Sequence, residues 1–201
     1  DWGVPNALPE RVPSERLEIR TWRDEDAPAL VRAVTANLDH LRPWMPWIAH
    51  EPSTVDERLA LFSAWEEARL AGSDATYGLF LDGEVVGGTG LHGRIGPGGF
   101  EIGYWVTAER TRQGIATEAA RALTGVALHR TGIERVEIRH DRDNVASGGI
   151  PRALRYELVD HRAVEPTAPG ESGVQCIWRL ERRGAAVSHT RADDLPEVPA
   201  P

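Results

Sequence analysis

The chain has 201 residues, of which 41% are hydrophobic and 27% are charged, and its formal net charge is −8. This length and composition predict one globular domain with a single sizeable core. The acidic balance argues against a general nucleic-acid binder, which needs a basic surface, and it favours cationic partners. No apolar run reaches the roughly 18 residues of a membrane span, and the first residues, DWGVPNALPERVPSER, lack the apolar core of a signal peptide. We therefore expect a cytoplasmic protein without a membrane segment.

Cys176 is the only cysteine, so an internal disulfide is excluded. No second metal ligand stands at a suitable spacing from it, and we predict no metal site. Because Cys176 lies in an apolar run, we expect a buried structural thiol.

The chain divides into three predicted parts. Residues 1–16 are polar and contain several prolines, and we expect an arm on the surface. Residues 17–182 form the predicted domain, and the proline-rich tail 183–201 is expected to be flexible or to pack as an arm. At the start of the domain, Leu17–Trp22 alternates as a strand. A helix follows, and its apolar stripe is Leu30, Val31, Val34 and Leu38.

An aromatic segment comes next, at residues 40–48. Two prolines forbid a long regular helix there, and Trp44 and Trp47 lie three residues apart. Large aromatic area on an irregular segment is typical either of core packing or of the wall of a substrate pocket.

A helix and a hairpin follow the aromatic segment. Residues 55–70 are predicted to be helical, and Asp82-Gly83 is a strong two-residue turn between predicted strands 76–81 and 84–91. The glycine run 87–90 lies inside a strand and does not open a helix, so it indicates close backbones and not a nucleotide loop. His92 at the end of this strand is expected to be structural or to line a pocket rim.

A strand, a basic turn and a helix form the central stretch, residues 101–130. Phe100–Val106 alternates with period 2, and the helix after the turn has a face of small residues. The turn places Arg110 and Arg112 where free backbone N–H groups emerge at a helix start, which is a place that binds phosphate. The alternative is an ordinary turn with solvated arginines. After the helix, Arg135–Arg139 is predicted to be a strand parallel to the central one.

The last part of the chain is predicted to contain a short or distorted helix and a terminal hairpin. The helix lies near residues 144–154, where Gly148, Gly149 and Pro151 weaken it. The hairpin strands are predicted at 156–164 and 175–181.

The motif E-I-G-Y-W-V, a basic loop and Q-G-I-A-T-E-A resemble the central motif of the GNAT acetyltransferase superfamily, in its Rim-type branch. The resemblance runs from about Leu17 to Leu180. It implies an α/β fold with a central mixed, strongly twisted sheet of about seven strands and about four flanking helices. It also implies acetyl transfer from acetyl-CoA to a primary amine. Thr111 stands where the family usually has Arg or Gln, and Arg155 stands where a helix-ending glycine is usual.

The resemblance also implies site residues. Glu101 is the candidate base and Ser147 the candidate acid for the leaving thiolate, since Pro151 occupies the place of the tyrosine that other members use. A bulge in the central strand is expected to free backbone N–H groups that polarise the acetyl carbonyl. The predicted cofactor-binding residues are Trp105, Val106, Arg110, Arg112, Gln113, Gly114, Ile115, Ala116, Thr117 and Asn144. The predicted acceptor-binding residues are Trp44, Trp47, His92 and Tyr104.

Two other classes of function stay open. One is an acyl-CoA-binding sensor without catalysis, which the departures at Thr111, Pro151 and Arg155 allow. The other is a protein-interaction module that uses Trp44 and Trp47. For an enzyme, the acceptor is a protein N-terminal amine, an aminoacyl conjugate or an antibiotic-like amine, and the sequence does not choose among them. A homodimer through the terminal hairpin or the tail is also compatible with the sequence.

Overall fold

The computed structural model describes residues 6–182, which form one eight-stranded sheet with five α-helices. The helices are α1 (Ala27–Ala36), α2 (Leu38–Leu41), α3 (Val55–Ala71), α4 (Ile115–His129) and α5 (Val145–Ala153). The strands are β1 (Arg11–Val12), β2 (Glu18–Thr21), β3 (Asp74–Leu81), β4 (Glu84–His92), β5 (Gly99–Val106), β6 (Arg135–Asp141), β7 (Glu157–Ala163) and β8 (Val174–Glu181).

The strand order is β1-β2-β3-β4-β5-β6-β8-β7. Neighbouring strands are antiparallel except β5 and β6, which are parallel. Helix α4 is the crossover between these two strands, as the central stretch predicted. The predicted hairpin of β3 and β4 is confirmed, and its turn residues Asp82 and Gly83 both have positive φ, 50° and 80°.

Two apolar clusters cover the two faces of the sheet, and the alternation along β5 separates them. Phe100 and Ile102 pack with the buried face of α4 in the larger cluster. Trp105 belongs to the second cluster, with α1 and α3. The predicted division of β5 into two faces is therefore confirmed. The predicted buried thiol, Cys176, lies in the larger cluster.

Part of the predicted surface arm belongs to the sheet and the core. Leu8 and Val12 are 1% and 3% exposed, and β1 pairs antiparallel with β2. The expectation of a surface arm is wrong for this part, because the polar composition hid two apolar side chains that fill the core edge. The tail 183–201 lies outside the described residues.

The end of α5 explains one departure from the family pattern. The helix has nine residues and contains Pro151, so the expectation of a short helix is confirmed. Arg155 follows it with φ 62°, the left-handed conformation that the usual glycine adopts without strain.

None of the helices in residues 6–182 combines the length and the apolar character that crossing a membrane requires.

Candidate active site

The sheet opens between β5 and β6. The two strands pair only over their first halves, from Gly99 opposite Arg135 to Ile102 opposite Ile138. Beyond this point β6 continues on β8, whereas β5 continues on β4 alone. The last four residues of β5 therefore have no strand on their β6 side among the described residues. This divergence leaves a gap with exposed backbone polar groups.

The predicted bulge in the central strand is wrong. Trp105 and Val106 pair in regular register with Gly88 and Gly87 of β4. The backbone edge is open because β6 departs, not because β5 is irregular. On the β6 side, the edge of β5 has no partner strand from Gly103 to Val106 in the described part of the chain, although Val106 O lies 3.2 Å from His40 Nε2.

The loop before α4 presents a series of backbone N–H groups. Arg112 and Gly114 have left-handed φ values of 60° and 76°, and alternating conformations of this kind turn successive N–H groups to one side. Within residues 6–182, the backbone N–H groups from Arg112 to Thr117 have no acceptor, and the first N–H with a partner is that of Glu118, bonded to Gly114 O at 2.9 Å. This array lies at the positive end of a 15-residue helix and can bind an anion.

The two loop arginines differ in their availability. Arg110 contacts Glu84 at 3.2 Å, so part of its charge is compensated. Arg112 is exposed and has no carboxylate partner among the described residues. Thr111, the departure from the family pattern, donates its hydroxyl to Ala108 O at 2.9 Å and closes the turn. Arg112 is therefore the better candidate for a bound anion.

The side chain of Gln113 is used inside the loop. Its amide donates to Glu109 O at 3.0 Å, so the contribution of Gln113 to an anion site comes from its backbone. Ile115 is buried in the core at 2% exposure, and its backbone likewise is the part that faces the site. Ala116 and Thr117 complete the array.

Sequence reasoning missed a contact behind this loop, between Glu118 and the segment 14–17. The Glu118 carboxylate accepts hydrogen bonds from Ser14 Oγ at 2.6 Å, from Arg16 N and Nε at 2.7 Å each, and from Leu17 N at 3.1 Å. Burial alone would raise the pKa of Glu118, but these hydrogen bonds outweigh it and lower the pKa to about 2. The one signal in the sequence was Glu118 itself, an acidic residue in the first turn of the helix that is predicted to bind phosphate.

The candidate base, Glu101, lies on the face of the sheet that carries Trp105. It is 9% exposed, and its two oxygens accept bonds from Arg94 Nε and Nη2 at 3.0 and 2.8 Å. Its register partner on the neighbouring strand β4 is His92. The His92 ring bonds Asp74 through Nδ1 at 2.8 Å, and a Cβ at Gly103 would lie 3.6 Å from its Nε2. Glu101 and His92 are thus brought together beside a strip of sheet without side chains.

A second carboxylate, Glu137, lies beside Glu101 in β6, and sequence reasoning missed it. The two residues are register partners. Glu137 is 2% exposed and binds Arg139 and Arg179, each with a shortest contact of 2.7 Å. Burial alone would raise its pKa, but the two guanidinium groups lower it overall. A carboxylate held by two arginines is a poor proton acceptor, so Glu101, with one partner, remains the better candidate base.

The aromatic segment forms a wall on the same face. The Trp47 and Trp105 rings lie 5.9 Å apart in a tilted arrangement. In the same segment, Pro43 O accepts a bond from Gly170 N at 2.8 Å, so the β7–β8 loop contacts the aromatic segment. Trp44 is half-buried and lies outside the Trp47 cluster. The structure thus joins Trp47, but not Trp44, to the face with Glu101 and His92.

Tyr104 lies on the opposite face, beside α5. Its hydroxyl donates to Ser147 O at 3.0 Å, and burial raises the pKa of Tyr104 above its ordinary value. Asn144 caps α5, because its Oδ1 accepts from Ser147 N at 3.3 Å. Tyr104, Asn144 and Ser147 therefore form one group on the face of the sheet opposite Glu101. The structure does not bring Tyr104 together with Trp47 and His92.

Comparison with known proteins bears on the family of the chain. A family model described as "Acetyltransferase (GNAT) domain" matches residues 16–157. The chain is 30% identical over 148 residues, 71% of this chain and 79% of the relative, to a Bacillus subtilis (strain 168) protein named "Putative ribosomal N-acetyltransferase YdaF".

Solved structures share the fold. The ribosomal L7/L12 α-N-protein acetyltransferase RimL, solved in complex with coenzyme A, matches with a TM-score of 0.78 at 23% identity, over 86% of this chain and 98% of that chain. The microcin C7 self-immunity acetyltransferase MccE, solved with acetyl-CoA and AMP, matches with a TM-score of 0.76 at 17% identity, over 88% and 97% of the two chains. The predicted mixed α/β fold is confirmed, with eight strands and five helices. This chain belongs to the GNAT acetyltransferase family and is an acyltransferase.

Proposed function

We propose that this enzyme transfers the acetyl group of acetyl-CoA to the α-amine at the N-terminus of a protein or peptide. The observation that carries the cofactor assignment is the array of unpartnered backbone N–H groups from Arg112 to Thr117, beside the gap between β5 and β6. An anion site next to an open strand edge fits a ligand with a pyrophosphate and an extended amide chain. A ribosomal acceptor is supported by the name of the Bacillus subtilis relative, "Putative ribosomal N-acetyltransferase YdaF". The α-amine is part of the name of RimL, a ribosomal L7/L12 α-N-protein acetyltransferase that shares the fold.

The residues divide between the two ends of the cofactor. The N–H groups of residues 112–117 and the Arg112 guanidinium would hold the pyrophosphate. The open edge of β5 near Trp105 and Val106 would bond the pantetheine amides and polarise the acetyl carbonyl. Asn144, at the start of α5, would contact the chain from the other side of the gap.

Bound acetyl-CoA would supply a thioester as the acetyl donor. The amine approaches from the face with Trp47 and His92, and Glu101 takes its proton directly or through a water molecule. Ser147, on the opposite face, would give its hydroxyl proton to the departing sulfur and regain one from solvent, to which Glu101 would release the proton that it took. The new C–N bond forms as the C–S bond breaks, so one proton leaves the amine and one reaches the thiolate. A base and an acid on opposite faces of the sheet fit this division of roles.

The net charge of −8 supports a cationic amine acceptor over a nucleic acid.

The predicted homodimer would use the outer strand β7, whose residues are all exposed. This strand has a register irregularity at Leu158/Asp160, a feature that opposes continuous edge pairing. Size-exclusion chromatography with light scattering tests the dimer.

An acceptor panel tests the proposed function. Purified enzyme with radiolabelled acetyl-CoA is offered short peptides with free N-termini, the same peptides with blocked N-termini and a free lysine, an aminoacyl adenylate analogue, and an aminoglycoside. We expect label on the free N-termini only. Label on the adenylate analogue or the aminoglycoside alone contradicts the N-terminal assignment. Binding of acetyl-CoA without transfer to any amine favours the non-catalytic sensor.

A further inference from the structure

The Arg16 guanidinium joins the loop before α4 to the first turn of that helix. Its Nε donates to Glu118 Oε2 at 2.7 Å, and its Nη2 donates to Gln113 O at 3.1 Å. A Cβ added to Gly114 would lie 3.5 Å from the same Nη2. Arg16 therefore lies directly behind the Gln113–Gly114 peptide, in a chain segment far from the loop in sequence.

The bond to Gln113 O determines where the next N–H points. The Gln113–Gly114 peptide is trans, and in a planar trans peptide the C=O and the N–H point in opposite directions. When Arg16 holds the Gln113 carbonyl on one side, the Gly114 N–H must face the other side. That N–H lies in the middle of the unpartnered array from Arg112 to Thr117.

The loop conformation makes such a constraint necessary. Gly114 has φ 76°, and glycine moves between left-handed and right-handed conformations with little steric penalty. A flip of the Gln113–Gly114 peptide would replace a donor by a carbonyl oxygen in the array and would repel an anion. Arg16 opposes this flip, because its guanidinium can donate to an oxygen but has no group that accepts from an N–H.

Glu118 fixes Arg16 in place. The carboxylate binds Arg16 through the backbone N and through Nε, and it also binds Ser14 and Leu17. Because the pKa of Glu118 is lowered to about 2, this carboxylate stays ionised at neutral pH. The negative charge in the first turn of α4 is thereby compensated by Arg16 and does not oppose a bound anion.

We infer that Arg16 is a positioning residue that orients the Gln113–Gly114 peptide for binding of the cofactor pyrophosphate. This inference rests on the proposed acetyl-CoA site. It assigns to the N-terminal segment a role in affinity for the phosphate part of the cofactor, and none in the chemistry of the thioester.

Titration calorimetry with inorganic pyrophosphate and with acetyl-CoA tests the inference without requiring activity. We expect Arg16→Ala to weaken both by about tenfold or more, the loss of a charge-assisted restraint. Arg16→Lys keeps the charge, but its single ammonium cannot take the places of Nε and Nη2 together, so we expect a loss of several fold. Arg11→Ala is the matched control, and this variant should bind both ligands as the unchanged protein does. Arg11 is an exposed arginine of the N-terminal part of the chain, and among residues 6–182 its side chain bonds Glu18 alone, at 3.2 Å.

A second donor separates positioning from general damage to the fold. S-acetylpantetheine has the thioester and the amide chain but no phosphate. We expect kcat/KM for this donor to change by less than about twofold in Arg16→Lys, while KM for acetyl-CoA rises. Equal losses with the two donors, or full affinity for pyrophosphate in Arg16→Lys, would overturn the inference.

The same titrations distinguish the two hypotheses. If the unchanged protein binds pyrophosphate but not acetyl-CoA, the proposed function fails while the effect of Arg16 on the anion site is still measured. If the unchanged protein binds neither pyrophosphate nor acetyl-CoA, both the proposed function and the role of Arg16 are wrong.

Discussion

Glu118→Gln tests the contact between residues 14–17 and helix α4. The pKa of Glu118 is lowered from an ordinary 4.5 to about 2, and the side chain is 7% exposed. By linkage, such a carboxylate contributes about 3 kcal/mol to the free energy of unfolding when it is ionised. Glutamine keeps an oxygen acceptor for Ser14 and Leu17 but loses the charge opposite Arg16. We therefore expect Glu118→Gln to lower the free energy of unfolding by about 2 to 3 kcal/mol at pH 7.

The stabilisation by Glu118 should depend on pH in a direction that follows from its lowered pKa. Because the folded state lowers the pKa of Glu118, the stabilisation is present above pH 4.5 and is lost as the pH falls toward 2. Urea unfolding of both proteins at pH 7, 5 and 3 should show a difference that is nearly constant down to pH 5 and about half as large at pH 3. Glu67→Gln, at an exposed position of α3, is the matched control and should change stability little. A pH-independent difference, or none at pH 7, would refute the reasoning.

Three further substitutions follow from the structure. Glu101→Gln should lower kcat by about a hundredfold or more in steady-state kinetics, with little change in acetyl-CoA affinity by titration. Unchanged turnover would show that Glu101 is not the base. Tyr104→Phe removes the bond to Ser147 O and should lower the free energy of unfolding by about 1 kcal/mol in urea; no loss would show that this bond does not hold α5. Arg155→Gly should raise the midpoint of thermal unfolding slightly, because Arg155 has φ 62° and a left-handed non-glycine residue is strained by about 1 kcal/mol, whereas a lower midpoint would contradict that strain.

The local patterns of the sequence were enough to predict most of the fold. Period-2 alternation predicted β5, the Asp82-Gly83 pair predicted the hairpin, and the basic turn with Gly114 predicted the start of α4. These signals work because strand faces, turn conformations and helix starts depend on neighbouring residues.

The contacts that the sequence did not reveal join distant segments. Arg16 and Glu118 are 102 residues apart, and the pairing of Glu137 with Arg179 spans 42 residues. The departure of β6 from β5 was not predicted. This departure, and not a bulge in β5, leaves the last residues of β5 without a partner strand on that side within residues 6–182. Tyr104 was predicted to bind the acceptor, although strand alternation already placed its side chain on the face opposite Glu101 and Trp105.

The most direct test of the central claim is titration of acetyl-CoA into the intact protein and into a double variant, Arg112→Glu with Gly114→Val. The glutamate reverses the uncompensated loop charge, and a β-branched residue disfavours φ 76° at position 114. Arg32→Glu, at an exposed position of α1, is the control for the change in charge. The account predicts that the intact protein and the control bind acetyl-CoA and that the double variant does not. Equal binding by the double variant, or no binding by the intact protein, would contradict it.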